Sequence, residues 1–360
     1  MKVKIEIDTR TFVRFWLVVI GFALAALLIY SARTALIIIG TAFFLAIALS
    51  PPVNRLTKIL PGKSRVLGTA ISYVVVLLVL GTIIFLVIPP IVEQTAKFIQ
   101  NAPSLINTAT NQSSGISDFI KHYNLQPEVD KVFVTISNSA TRSVSGIGSV
   151  LISGIGSVLS IITAIILVIV LTFLMLVEGP DWMNRIWSVY KDKSKMEHHR
   201  KLVGKMYKTV TSYVIGQLSV STIAGVVAGL SVLVLSLIFN IPTNLSMPVA
   251  AIIFVFSLIP LIGEMIGSLF VTLILALNNI TAAIIFLVFF IIYQQIEANY
   301  ISPKIQSKRI DLTVLTIIIA VTIGIYLFGI VGGIISIPIA GCINVLIEDR
   351  FPKSKSPASD

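Results

Sequence analysis

Charge is scarce in this 360-residue chain. Asp, Glu, Lys and Arg together make up 12% of it, against 56% hydrophobic residues. That is about half the charged share of a soluble domain, too little to cover a globule of this size with polar surface. The deficit excludes a soluble cytosolic enzyme and a disordered tail, and it points to a polytopic membrane protein. Cysteine is nearly absent: Cys342 stands alone, which rules out an internal disulfide, a secreted disulfide scaffold and a thiolate metal cluster. There is no metalloprotease His-Glu pattern, no glycine-framed nucleophilic serine and no intramembrane aspartate pair. The Gly-x-Gly pairs at 146 and 154 follow no strand and meet no acidic ribose partner. Pro61-Gly62-Lys63-Ser64 ends like a phosphate loop, but Thr57 stands where the first glycine is needed. His122, His198 and His199 have no second ligand at metal spacing. No enzymatic activity, cofactor or metal is indicated.

Basic residues exceed acidic ones, 27 Lys and Arg against 16 Asp and Glu, a net charge of +11. They occur in short runs between apolar segments, a distribution that the positive-inside rule explains and nucleic-acid binding does not. Uncharged stretches cover 15–32, 34–54, 66–92, 146–177, 209–296 with one exception, and 312–347. At roughly 20 residues per crossing they amount to about eight hydrophobic segments. Lys2, Lys4, Arg10 and Arg14 precede the first, which reads as an uncleaved signal-anchor because a second apolar segment follows at once.

The expected organisation is three N-terminal spans in 1–92, a small extracytoplasmic insert in 93–145, a fourth span in 146–177, a basic cytoplasmic loop in 178–208, a C-terminal membrane core in 209–347 and a cytoplasmic tail in 348–360. The insert is expected to be helical over 93–106 with a break at Pro103. Arg55, Lys58, Lys63 and Arg65, with the basic loop that follows the fourth segment, place both termini inside.

The last third resists a simple count. If every segment crosses once, Lys304, Lys308 and Arg309 fall outside, against the rule, and 312–347 is too long for one span. Two breaker clusters offer a way out. Ile259-Pro260-Leu261-Ile262-Gly263-Glu264 leads to Gly267, and Phe328-Gly329-Ile330-Val331-Gly332-Gly333 is followed by Pro338. Proline removes a helix donor and glycine permits a reversal. The reading is an all-α protein with six full spans and two broken or re-entrant hairpins, at 248–277 and 312–347; two long kinked spans are the alternative.

Tyrosines aside, Glu264 is the only ionisable residue between Lys208 and Glu297. A carboxylate at bilayer depth costs a few kcal/mol, so it marks a candidate functional site; the rival reading is a helix cap at a wet hairpin tip. A second polar cluster runs from Tyr293 to Tyr300. There Gln294 and Glu297 share one helix face and Gln295 and Asn299 another. Glu264 and Glu297 are the candidates for proton or cation handling, and Gln294, Gln295, Asn299 and Gln217 for solute binding, with interhelical hydrogen bonding as the alternative. Pro260, Gly263, Gly267, Pro303, Gly329, Gly332, Gly333 and Pro338 would supply irregular backbone, as in the discontinuous helices of secondary transporters. Ser145, Ser149, Ser153 and Ser157, and Ser221, Gly225 and Gly229, repeat every four residues and favour close helix packing.

In this order, several stretches resemble the autoinducer-2 exporter family of bacterial multi-pass proteins over nearly the whole chain. They are Ile7-Asp8-Thr9-Arg10, Asn101-Ala102-Pro103, Phe173-Leu174-Met175-Leu176-Val177-Glu178-Gly179, Tyr213-Val214-Ile215-Gly216-Gln217, Ile259 to Gly263, Gln295 to Lys304, and Phe328 to Gly333 with Pro338. Glu178 stands where the family commonly has aspartate, and Glu264 where it often has proline or a small residue. The resemblance implies export of autoinducer-2 or exchange of sodium or lithium for protons, and a homo-oligomer. It carries over only Pro260, Gly263, Gln295, Glu297, Asn299 and Pro303. The expectation is a multi-pass secondary transporter of the bacterial inner membrane that exports a small polar solute, with the lipid bilayer, that solute, sodium and protons as partners and no nucleic acid. A sodium/proton antiporter and a non-transport membrane scaffold are the rivals.

Overall fold

A computed structural model describes residues 9–60, 64–112, 131, 155–260, 262–306 and 312–351. All regular structure among them is helical. In order the helices are α1 (Thr9–Ser31), α2 (Arg33–Ile59), α3 (Arg65–Gln112), α4 (Ile155–Ser188), α5 (Lys193–Phe239), α6 (Ser246–Ser257), α7 (Gly263–Ala276), α8 (Ile280–Ile296), α9 (Ser302–Gln306) and α10 (Val314–Arg350). A π-helical turn, Glu297–Ile301, joins α8 to α9. Seven helical stretches are long and apolar enough to cross a membrane, among them all of α10.

Length and backbone geometry refine that number. Helices α6 and α7 have 12 and 14 residues, about 18 and 21 Å, against a hydrocarbon core of about 30 Å. Neither is long enough to cross alone, and a Cβ on Gly267 of α7 would lie 3.3 Å from Ile253 Cδ1 of α6, so the two helices fold back on each other. In α10 the backbone reverses at Gly329, whose φ of 63° and ψ of −149° lie outside the helical region. A Cβ on Gly324 would run into the Gly332 carbonyl, and one on Gly332 into the Gly324 carbonyl. In a straight helix these residues are about 12 Å apart, so the arms on either side of Gly329 lie against each other as a hairpin. Among the described residues this leaves six helices long and apolar enough to cross singly, α1 to α5 and α8, and two hairpins.

A contact at one end of the molecule agrees. His198 Nε2, near the start of α5, lies 3.0 Å from Asp349 Oδ2, near the end of α10. Helix α5 crosses, the α6–α7 pair returns, α8 crosses back, and the α10 hairpin ends where α5 began. Had α10 crossed, Asp349 would sit at the opposite face from His198. Tyr213 packs against both Val321 and Ile337, one from each arm.

Apolar burial does not itself join helices in lipid; close packing does. Gly225 and Gly229 let α6 approach α5, and a Cβ on Gly225 would meet the Ala250 carbonyl oxygen at 2.7 Å. Phe286 and Phe290 stack at 5.4 Å in the core shared by α5 to α8, which Val87 of α3 also joins. Helices α2, α3 and α4 form a second body around Val53, Tyr73 and Leu176. It is clasped by Arg65, whose Nε donates to the Leu176 carbonyl at 2.6 Å and whose Nη1 donates to Asn54 Oδ1 at 3.1 Å. Pro180 cannot offer Leu176 the usual i+4 donor, and Arg65 takes its place. Ser50 of α2 hydrogen-bonds Tyr207 of α5, linking the two bodies.

Two expectations are corrected. Helix α3 continues through Pro103 to Gln112, so there is no break at Pro103. The basic stretch 178–208 is not a loop: α4 runs to Ser188, and α5 starts at Lys193 behind an N-cap in which Asp192 accepts from Ser194 N at 2.9 Å. The insert beyond Gln112 (apart from Lys131), residues 146–154 with most of the serine repeat, His122, Lys308, Arg309 and the tail after Phe351 lie outside the described residues.

Candidate functional site

The site forms where the first hairpin turns. Helix α6 stops at Ser257, three residues before Pro260, and the chain tightens through a 2.8 Å bond from Ile262 N to Pro260 O before α7 begins at Gly263. Gly263 is obligatory, because a Cβ there would run into the Phe256 carbonyl; Gly267 faces Phe256 Cβ at 2.9 Å. Ending the helix leaves the Ser257 carbonyl without a helical donor. Gln217 supplies one from α5, its Nε2 lying 2.7 Å from Ser257 O. The Ser257 hydroxyl donates to Glu264 Oε1 at 2.6 Å. Glu264 stands in the first turn of α7, where helix-end N–H groups favour negative charge.

The second carboxylate arrives from α8. Pro303 has no N–H for the Asn299 carbonyl, and the ladder widens into the π-turn that begins at Glu297. Glu297 is 6% exposed and Tyr293, one turn earlier, 7%. Glu264, Glu297 and Tyr293 stand close enough to interact electrostatically. Glu297 Oε2, the Tyr293 hydroxyl and Gln294 Nε2 are buried without a hydrogen-bond partner among the described residues. A polar path therefore runs Gln217, Ser257, Glu264, Glu297, from α5 through the ends of α6 and α7 to the π-turn that follows α8. It brings together both candidate carboxylates, Gln217 and the breaker residues Pro260, Gly263 and Gly267, with Gln294 on the inward face beside Glu297.

The other candidates stand elsewhere. Gln295 and Asn299 are exposed, and Asn299 Nδ2 donates to the Gln295 carbonyl at 2.7 Å. The helical turn that carries Gln294 and Glu297 inward carries these two outward, away from the polar path. Gly329 is the exposed tip of the second hairpin and Gly332 and Gly333 its buried crossing point. Pro338 rides inside the second arm rather than at the reversal, and Pro303 is exposed on α9. The two hairpins meet: a Cβ on Gly333 would lie 3.8 Å from Ile259 Cγ2. Ser257 and Tyr293 were not singled out by the sequence. The available signals were a serine at the end of an apolar run just before the breaker, and a tyrosine one turn before Glu297.

The AI-2E family transporter description matches residues 16–350. A protein of Alkalihalophilus pseudofirmus is 24% identical over 364 residues, 92% of this chain and 90% of the relative. YrrI of Bacillus subtilis is 24% identical over 293 residues, 79% and 78% of the two chains. A Mycobacterium tuberculosis protein is 30% identical over 126 residues, 35% of this chain and 32% of its own length. All three are named only as candidate transport proteins.

Proposed function

The chain belongs to the AI-2E family of membrane transporters, and on that premise we propose that it is a secondary transporter that moves a small polar solute, of the autoinducer-2 type, outward across the bacterial inner membrane at the expense of a proton gradient. One observation supports the coupling ion: at the broken hairpin Glu264, held by the Ser257 hydroxyl at 2.6 Å, interacts with a second carboxyl group, Glu297, that is buried in the helix core. Two carboxyl groups that interact have no donor between them unless one carries a proton. Binding and release of that proton changes the attraction between the hairpin and α8, the kind of bistable contact that alternating access uses.

A second reading, exchange of sodium or lithium for protons, draws on different atoms. Glu297 Oε2 and the Tyr293 hydroxyl are buried and unpaired beside the carboxylate pair, and hard cations prefer oxygen ligands. The orientation that accompanies both readings puts the termini and the basic starts of α3 and α5 in the cytoplasm. Homo-oligomerisation belongs to the proposal as well, and native mass spectrometry from lipid nanodiscs tests it.

Proteoliposomes with an entrapped pH-sensitive dye separate the readings. Solute-dependent proton movement that needs no sodium supports export. Sodium-triggered collapse of a pH gradient without solute supports the exchanger. A protein inert to every gradient that still retains a fixed partner on purification is a scaffold and overturns both.

A further inference from the structure

The two members of the carboxyl pair are not equivalent. Glu264 occupies the first turn of α7 and accepts the Ser257 hydroxyl at 2.6 Å; both features stabilise an anion. Glu297 lies at no free helix N-terminus, is 6% exposed, and keeps Oε2 without a hydrogen-bond partner among the described residues, its nearest hydroxyl, that of Tyr293, being itself out of hydrogen-bond geometry. We infer that the pair holds one proton, carried by Glu297 and donated to the Glu264 carboxylate, and that Ser257 is the positioning residue that keeps Glu264 ionised and aimed at its partner. Gln217 pins Ser257 in turn, through the carbonyl bond at 2.7 Å. This rests on the reading of the pair as the proton-coupling site.

The surroundings leave few other groups to act on the proton. Tyr293 of α8 interacts with both carboxyl groups, Tyr213 lies one turn before Gln217 on α5, and Lys304 is carried by α9, which packs against α5 and the π-turn. Helix α3 offers this core Ile83, Leu86 and Val87, and the second hairpin meets the breaker through Gly333 and Ile259. No lysine, arginine or histidine among the described residues bears on Glu297. When the proton leaves, two carboxylates face each other in an apolar setting and repel. The first turn of α7 then parts from α8, and the Ser257–Gln217 bond carries that movement to α5.

The test needs no cargo. Infrared spectra of the full chain in lipid nanodiscs, followed against pH, report the stretching band of a protonated carboxyl group. Wild-type protein is expected to show that band at neutral pH and Glu297→Gln to lack it. Ser257→Ala removes a hydrogen bond to the anion, so the pair holds its proton more tightly and the band persists to a pH about one unit higher. Ser257→Thr keeps the hydroxyl and leaves the midpoint unchanged. Gln217→Met, which frees the Ser257 carbonyl, moves it the same way by less and substitutes for Ser257→Ala should that variant fail to fold. An unmoved midpoint in the alanine variant, or an equal shift in the threonine variant, overturns the role of Ser257 and leaves the coupling site standing. Absence of the band from wild-type protein overturns both.

Discussion

Gly324 and Gly332 meet backbone against backbone across the reversal at Gly329, each occupying the place a side chain on the other would need. No other residue fits at either position without separating the arms. Gly324→Ala and Gly332→Ala are each expected to cost about 2–3 kcal/mol, read as a lowered midpoint of thermal unfolding in detergent. Gly81→Ala, where a Cβ meets nothing within 4 Å, serves as the control and is expected to leave the midpoint in place or raise it slightly. Equal effects at all three positions would contradict the hairpin.

The closeness of His198 and Asp349 gives a test of topology. Cysteines placed at both positions, in a Cys342→Ala background, are expected to be joined by a short bifunctional thiol cross-linker in isolated membranes. An impermeant thiol reagent added to intact cells should label neither. Labelling of the cysteine at 349 alone from outside means that α10 crosses.

Glu297→Gln and Glu264→Gln are both expected to reduce proton-coupled flux in proteoliposomes to the level of empty vesicles, since a neutral amide cannot take up and release the proton. Gln295→Ala and Asn299→Ala, on the exposed face of the same helix, are expected to leave flux within about twofold, as surface substitutions away from a site usually do. Wild-type flux in both glutamine variants removes the carboxylates from the mechanism.

Arg65 and Pro180 make a double-mutant cycle. Arg65→Met leaves the Leu176 carbonyl without a donor and is expected to cost about 1–3 kcal/mol. Pro180→Ala restores a helical donor to that carbonyl, so Arg65→Met in its presence is expected to cost measurably less. Strict additivity of the two unfolding midpoints would show that Arg65 does not replace the missing donor.

Much of the fold was legible because lipid punishes exceptions. A glutamate alone between Lys208 and Glu297 and two Pro/Gly clusters stand out against apolar sequence, and the structure turns the chain at both clusters and buries one carboxylate of the pair. Helical spacing separated Gln294 and Glu297 from Gln295 and Asn299 but did not say which face was inward. Prolines were less informative. Pro103, Pro180 and Pro338 lie within helices, and at Pro180 a side chain from another helix satisfies the carbonyl that the proline leaves free. Arg65 is 111 residues from Leu176 and Gln217 is 40 from Ser257; no local pattern encodes such partners. Ser257 was hidden by its ordinariness, as one serine in an apolar stretch gains meaning only from the carboxylate folded over it.

Helix α5 runs unbroken for 47 residues, and Gln217 lies about 36 Å along it from Lys193. A tilt of ten degrees about Gln217 sweeps the basic end through about 6 Å. The same rigid rod therefore has Gln217 near its middle and the exposed lysines at one end, so a displacement of the basic end that pivots there is met by a matching one at the far end, beside the start of α6.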